Sequence, residues 1–278
     1  MFHAHIHSIN LGRIRNSLCA YAIVIMEHVI TWFLSISLFK LLLICFLIGA
    51  TATLSSYDQT VLQQTPVAYW PLSPSNPSDY SGHSLSGIFT NSPSATIMPN
   101  NDTATVFNGM NQYFTIADND YLEIVRTGIL TIQAWFRPDT LQFNHSEGSG
   151  YVWWMGKGAL NQQSWAARMY NYINNETRPN RISGYAFNIT GDLGAGSYFQ
   201  DNVTIGQWIF YALTINTINV SSTYPTGYVK IFKNGIQRDM DSLLGYGVIP
   251  RNGTAPMRIG TRQMQSFFRR GDWQSCRL

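Results

Sequence analysis

From Leu130 to Arg137 the chain alternates with period two. Leu130, Ile132, Ala134 and Phe136 fall on one side, and Thr131, Gln133, Trp135 and Arg137 on the other. That spacing predicts a β-strand rather than a helix. The apolar Trp135 interrupts the polar side, so both faces are expected to be covered, as in a sheet of a sandwich. Similar runs predict strands at 68–72, 103–107, 113–116, 151–156, 165–172, 184–189, 208–215 and 257–260. Tyr228–Phe232 and Ile236–Arg238 flank Lys233-Asn234-Gly235, and Asn-Gly between β-like runs signals a tight hairpin. Pro71, Pro74, Pro77, Pro93 and Pro99 make the early part irregular. No long amphipathic helix, internal repeat or dividing linker is evident beyond the N-terminal region. Many short strands separated by Gly, Pro and Asn turns predict an all-β sandwich or jelly roll.

The first 56 residues are set apart as a leader. Val29–Ala52 is apolar except for Lys40 and a few Ser and Thr. One reading is a signal peptide, with Leu41–Ile48 as its apolar stretch and cleavage after Ala50-Thr51-Ala52. The other is a signal anchor of about 20 residues that spans a bilayer. Lys40 at its centre would cost about 2.5–3.5 kcal/mol, which favours cleavage. Arg13 and Arg15 ahead of the apolar run keep the N-terminus cytoplasmic and export the remainder. Met26 is an alternative start that gives a leader of more ordinary length. His3, His5 and His7 precede the export signal and are read as incidental rather than as a metal site. Ile44 before Cys45 is too bulky for a lipoprotein cleavage site.

Composition narrows the class. Charged residues are 12% against roughly 25% in an average soluble protein, and aromatics are 14%. Disorder and coiled coils are thereby excluded. The leader holds three of the 18 Lys and Arg and one of the 15 Asp and Glu, which leaves the body at net +1. No basic patch points to nucleic acid. Cys19, Cys45 and Cys276 lie in the leader or near the end, so no disulfide framework is expected between them. A body of about 220 residues can bury enough core without one.

The ordered motifs resemble those of laminin G-like domains with the concanavalin A-like jelly-roll fold. The resemblance begins with Val67-Ala68-Tyr69-Trp70-Pro71-Leu72 and the turn Asp79-Tyr80-Ser81-Gly82-His83, in which His83 stands for the usual Asn. It continues through Val106-Phe107-Asn108-Gly109, where Asn108 replaces Asp, and Tyr113-Phe114-Thr115-Ile116. The most specific match is Leu130-Thr131-Ile132-Gln133-Ala134-Trp135-Phe136-Arg137-Pro138. Met155-Gly156-Lys157-Gly158, Gly206-Gln207-Trp208, Tyr228–Gly235 and Met257-Arg258-Ile259-Gly260 complete the order, up to about Phe268. The resemblance implies a jelly roll over 57–268 with Trp70, Trp135 and Trp208 as structural core. It also implies a final strand that this chain lacks at 269–278. Codons compatible with Gly271–Leu278 spell A-I-G-K-V-A-V-Y when read one base later. The tail is therefore expected to be frameshifted, leaving an open sheet edge and an apolar cleft. Arg270-Gly271-Asp272 is then an accident rather than an adhesion motif.

The chemistry of the body favours binding over catalysis. Glucanases of this fold carry alternate carboxylates on one strand. Here Glu123, Glu147 and Glu176 are isolated, and Asp118/Asp120 and Asp239/Asp241 sit beside turns. There is no Gly-x-Ser-x-Gly elbow, His-Glu-x-x-His motif or phosphate loop. Sugars present apolar CH faces and dense hydroxyls, which select aromatic platforms beside amides. Trp153 and Trp154 are adjacent on a β-like run, so one is expected inside and the other outside. Trp154, Trp165, Tyr170 and Tyr172, in or near the Asn- and Gln-rich stretch 161–175, are the sugar-binding candidates. Calcium is the metal that the resemblance implies, with Asp79 and Asn108 as ligands; the alternative for Asp79 is a turn that satisfies its own backbone. Seven Asn-x-Ser/Thr sequons, at Asn101, Asn144, Asn175, Asn188, Asn202, Asn219 and Asn252, matter where exported proteins are glycosylated. The expected protein is a secreted or membrane-tethered, non-catalytic binding module; the alternatives are a structural adhesion module or a decayed gene copy without ligand and, more weakly, a glycoside hydrolase of the same fold. Its partner is a glycan or an extracellular protein, with membrane contact only through the N-terminal segment.

Overall fold

The computed structural model describes residues 54–142, 150–159, 162–174, 176–188, 194–260 and 276–277. The leader up to residue 53, Asn144, Asn175, and 261–275 with residue 278 of the tail lie outside the described residues. Residues 55–278 belong to one compact unit. Among the described residues no helix is long and apolar enough to cross a membrane.

A short helix α1 (Ser56–Leu62) is followed by strands β1 (Ile88–Thr90), β2 (Ser94–Ile97), β3 (Thr103–Phe107), β4 (Tyr113–Ile116) and β5 (Ile129–Pro138). Then come β6 (Tyr151–Lys157), β7 (Trp165–Tyr170), β8 (Ile182–Ala186), β9 (Ala195–Tyr198) and β10 (Ile209–Asn216). β11 (Tyr228–Lys233), β12 (Ile236–Ser242), β13 (Met257–Ile259) and β14 (Cys276–Arg277) complete the described strands. They form two seven-stranded antiparallel sheets, ordered β1-β4-β13-β6-β7-β8-β9 and β12-β11-β10-β5-β14-β3-β2. The protein is an all-β sandwich. One large apolar cluster takes side chains from both sheets, among them Phe107, Phe136, Leu213 and Ile231 from one and Phe114, Trp154, Met169 and Ile259 from the other.

The period-two pattern translates directly into this core. On β5, Leu130 and Phe136 are buried in the cluster and Ile132 and Ala134 pack against it, while Thr131, Gln133 and Trp135 are exposed. The Asn-Gly hairpin joins β11 to β12, with Lys233 opposite Ile236. Asn234 and Gly235 both have positive φ, 52° and 78°, as a type I′ turn requires. The run 68–72 forms no strand. Prolines at 66, 71, 74 and 77 remove backbone donors that a ladder needs. Trp70 is instead held by its indole N–H, which donates to Leu85 O at 2.8 Å, and packs edge-on against Phe114.

Two expected core residues lie elsewhere. Trp135 is 37% exposed on the outer side of its sheet, against Phe210 at 5.3 Å between ring centroids. Odd positions of β5 face away from the interior, which places it there. Trp208 precedes β10 and is half-buried beneath the Arg137 guanidinium, 5.4 Å from its ring. The strand expected to be missing from the end is represented by two residues. Cys276 and Arg277 pair with Phe107 and Val106 of β3 and with Pro138 and Arg137 of β5.

A buried ion cluster lies at one end of β4, β13 and β6. Lys157 is 1% exposed. Its Nζ lies 2.8 Å from Glu123 Oε1 and 2.6 Å from Asp118 Oδ1, and donates to Ala255 O at 2.8 Å. Glu123 also accepts from Ser164 Oγ at 2.6 Å and Gly253 N at 2.9 Å. Every donor and acceptor of the buried pair is thus used, the condition under which burying charge is tolerated. Substituting Lys157→Met leaves Glu123 buried and unpaired. The variant is expected to lose about 3–5 kcal/mol of stability, measured by urea denaturation, with Lys157→Met/Glu123→Leu recovering most of it.

Candidate functional site

Side chains of the β1-to-β9 sheet divide between two faces. On β7, Trp165, Ala167 and Met169 join the sandwich core, whereas Ala166 belongs to a separate cluster with Trp153, Tyr185 and Phe187. Alternation puts Arg168 and Tyr170 on the same outer face as Ala166. A β-bulge in β6 sets the matching face there. Trp153 pairs with Arg168 and Met155 with Ala167, so Trp154 is the surplus residue. Trp154 and Met155 both point into the core, while Trp153 lies directly across from Arg168 on the outer face.

Arg168 is the centre of this outer patch. Its guanidinium carbon lies 4.1 Å from the Tyr151 ring centroid, 4.3 Å from Trp153, 4.2 Å from Tyr185 and 5.2 Å from Phe187. Trp153 and Phe187 are buried and form the floor. Arg168 and Tyr151 are half-buried and remain partly accessible. Gly196 on β9 makes room for the Tyr185 ring, because a Cβ there would stand 2.3 Å from it. Each cation–π contact contributes about 0.5–2 kcal/mol, more as water is excluded.

A second arginine closes the neighbouring edge. Arg178 lies 4.3 Å from the Tyr198 ring, and its Nη1 donates to Tyr170 Oη at 3.2 Å and Tyr185 Oη at 3.0 Å. The two tyrosine hydroxyls are 2.6 Å apart. Burial raises the Tyr185 hydroxyl, Tyr170 raises it further, and Arg168 and Arg178 only partly offset this. Burial lowers the Arg178 pKa, but the bond to Tyr170 and the surrounding tyrosines outweigh it and hold the guanidinium above its ordinary value. Arg178 is therefore a bonded brace, whereas Arg168 is held by rings alone among the described residues. A cavity of about 210 Å³ lies beside Tyr121, Arg126 and Thr131, and it reaches Glu123, whose carboxylate is already committed to Lys157.

The aromatic candidates read from the sequence are redistributed by this geometry. Trp154 is buried and stacks on Phe136 at 4.5 Å, so it is core and not a platform. Trp165 is also buried, with its indole N–H donating to Leu122 O at 3.0 Å. Tyr170 is buried within the outer patch, its hydroxyl taken by Tyr185 and Arg178. Tyr172 is 52% exposed, past the end of β7. Trp153 is the outward member of the expected Trp153–Trp154 division, whereas Arg168, Tyr185 and Phe187 carry no individual signal in the sequence. Their signal was positional: 153 has the opposite parity to 154, and 166, 168 and 170 the opposite parity to 165, 167 and 169.

The calcium candidates do not fit a cation. Asp79 Oδ1 accepts from Tyr69 N and Ser81 N, both at 2.9 Å, and Oδ2 from Ser81 Oγ at 2.8 Å and Leu85 N at 2.9 Å. These donors occupy the oxygens that a metal would need. Asn108 Oδ1 is likewise taken by Met110 N, Asn111 N and Gln112 N. Among the described residues no group of three or more His, Cys, Asp or Glu could hold a metal ion.

No family model matches the chain, and no curated protein matches it. Solved structures do. The binding domain of Paraclostridial Mosquitocidal Protein 1 is 14% identical with a TM-score of 0.50, covering 72% of this chain and 44% of that one. A mutant of HCR/D is 10% identical with a TM-score of 0.50, covering 72% and 43%. The receptor-binding domain of a botulinum neurotoxin mosaic serotype C/D is 10% identical with a TM-score of 0.49, covering 72% and 42%. The likeness to the first two shows a shared fold. The chain spans less than half the length of these solved chains.

Burial raises the Asp79 carboxyl, but its hydrogen bonds outweigh this and hold it below the ordinary carboxylate value. The stability it contributes is therefore complete above about pH 4 and lost as pH falls through the lower, folded-state value. Asp79→Asn is expected to be less stable at neutral pH, with the gap to the parent closing below about pH 4, in denaturation curves collected across that range. Chelators are expected to leave both curves unchanged.

Proposed function

We propose that the protein is an exported, laminin G-like jelly-roll module that binds carbohydrate without chemical turnover. The observation that carries this reading is the outer patch on β6 to β9. Aromatic walls and a partly accessible guanidinium stand together on one sheet face. Such a surface offers apolar contact for CH faces and hydrogen bonding for hydroxyls. The rigid sheet and the Gly196 recess hold it in shape before any ligand arrives, which reduces the entropic cost of binding.

The carboxylates also support binding over catalysis. Glu123 is locked to Lys157 in the interior. Asp239 accepts from Tyr198 N at 3.0 Å, and Glu176 pairs loosely with Arg178 at 3.7 Å. None of these faces Arg168 as an acid–base pair across a cleft, the arrangement glycoside hydrolysis uses. The solved structures that share the fold include a protein named as a binding domain.

A glycan array probed with the full-length chain tests the reading. Binding is expected, and Tyr151→Ala, which removes one accessible wall, should weaken it about tenfold. Trp135→Ala, on the outer side of the opposite sheet, should leave it unchanged. An array without signal, or loss of binding only in Trp135→Ala, would overturn the assignment.

A further inference from the structure

The Arg168 guanidinium differs from those of Arg178 and Arg181, which lie between β7 and β8. Arg178 donates to two tyrosine hydroxyls, and Arg181 donates to Asn202 Oδ1 at 3.1 Å and Phe199 O at 3.1 Å. Arg168 has neither a hydrogen-bond acceptor nor a carboxylate among the described residues, and its buried Nε is without an acceptor. The four rings around it attract positive charge but offer no lone pair in the guanidinium plane. A fully charged group with five N–H donors is thus positioned, partly desolvated and left unneutralised.

We infer that this box receives the anionic group of an acidic saccharide, carboxylated or sulfated, with Arg168 as the residue that selects charge. The inference rests on the sugar-binding reading and specifies its ligand. The planar fork of a guanidinium matches two oxygens of a carboxylate or sulfate, a fit that a lysine ammonium lacks. Low-polarity rings on several sides strengthen the attraction relative to bulk water. The carboxylates of Glu176, Asp239 and Asp241 are associated with Arg178 or with the β9–β12 edge. Among the described residues, none of these three forms an ion pair or hydrogen bond with Arg168. Tyr151 and Tyr198, half-buried on either side, provide surface for the sugar rings that follow the charged one.

Calorimetric titration of the full-length chain with three oligosaccharides of equal length decides the matter: an oligoglucuronate, a sulfated oligoglucose and uncharged oligoglucose. One anionic ligand is expected to bind about 10- to 100-fold tighter than the neutral one, and which one does so identifies the source of the charge. In Arg168→Gln the ratio of anionic to neutral affinity should fall to about one, whatever the absolute affinities. Arg168→Lys should restore only part of the preference. The comparison of ligands on the unaltered protein needs no variant, so a misfolded substitution would not hide the answer. Equal binding of charged and neutral ligands, or an undiminished preference in Arg168→Gln, would overturn the selectivity alone. Absence of binding by all three would remove the sugar reading and the selectivity with it.

Discussion

The Lys157–Glu123 ion pair is the constraint on which the rest of the sheet depends. It joins the segment leaving β4, the end of β6, the approach to β7 and the segment leading into β13. These strands are neighbours, with β13 lying between β4 and β6. A short strand such as β13 gains little from its own ladder, since only Met257–Ile259 pair. Fixing its approach through Gly253 and Ala255 limits the register it can adopt. Both charges of the pair are buried, so losing one partner leaves the other poorly compensated.

That fixed register then divides the side chains of β6 and β7 between two environments. The inner side supplies Trp154, Met155, Trp165, Ala167 and Met169 to the sandwich. The outer side collects Trp153, Ala166, Tyr185 and Phe187 around Arg168. Core and patch share the same strands, so stability and recognition are coupled through the backbone. A change inside β7 that tilts the strand also moves Arg168 against its rings.

Local periodicity made most strands and the Asn234-Gly235 turn legible in the sequence. The segment 68–72 misled because its aromatic and aliphatic residues carry a strand-like pattern while its prolines forbid a ladder. β9 was silent because Ala195-Gly196-Ser197-Tyr198 has little apolar signal; it is small so that Tyr185 can lie against it. Parity showed that Trp153 and Trp154 part company, but not which of them meets the opposing sheet. That choice depends on the bulge, a property of two strands together. Likewise Glu123 read as isolated because its partner lies far along the chain, in a bend recognised only as Met155-Gly156-Lys157-Gly158.

The surplus residue in β6 has a consequence for how this protein can change over time. Deleting one position there would even out the ladder but reverse the inside–outside sense of everything on one side of the cut. Either Trp153 would be driven toward the interior or Lys157 would be turned out of it. Loops between strands can lengthen or shorten by single codons without such a penalty. Descendants that keep both the ring box and the interior lysine must therefore conserve the length of this strand more strictly than the identity of any single residue within it.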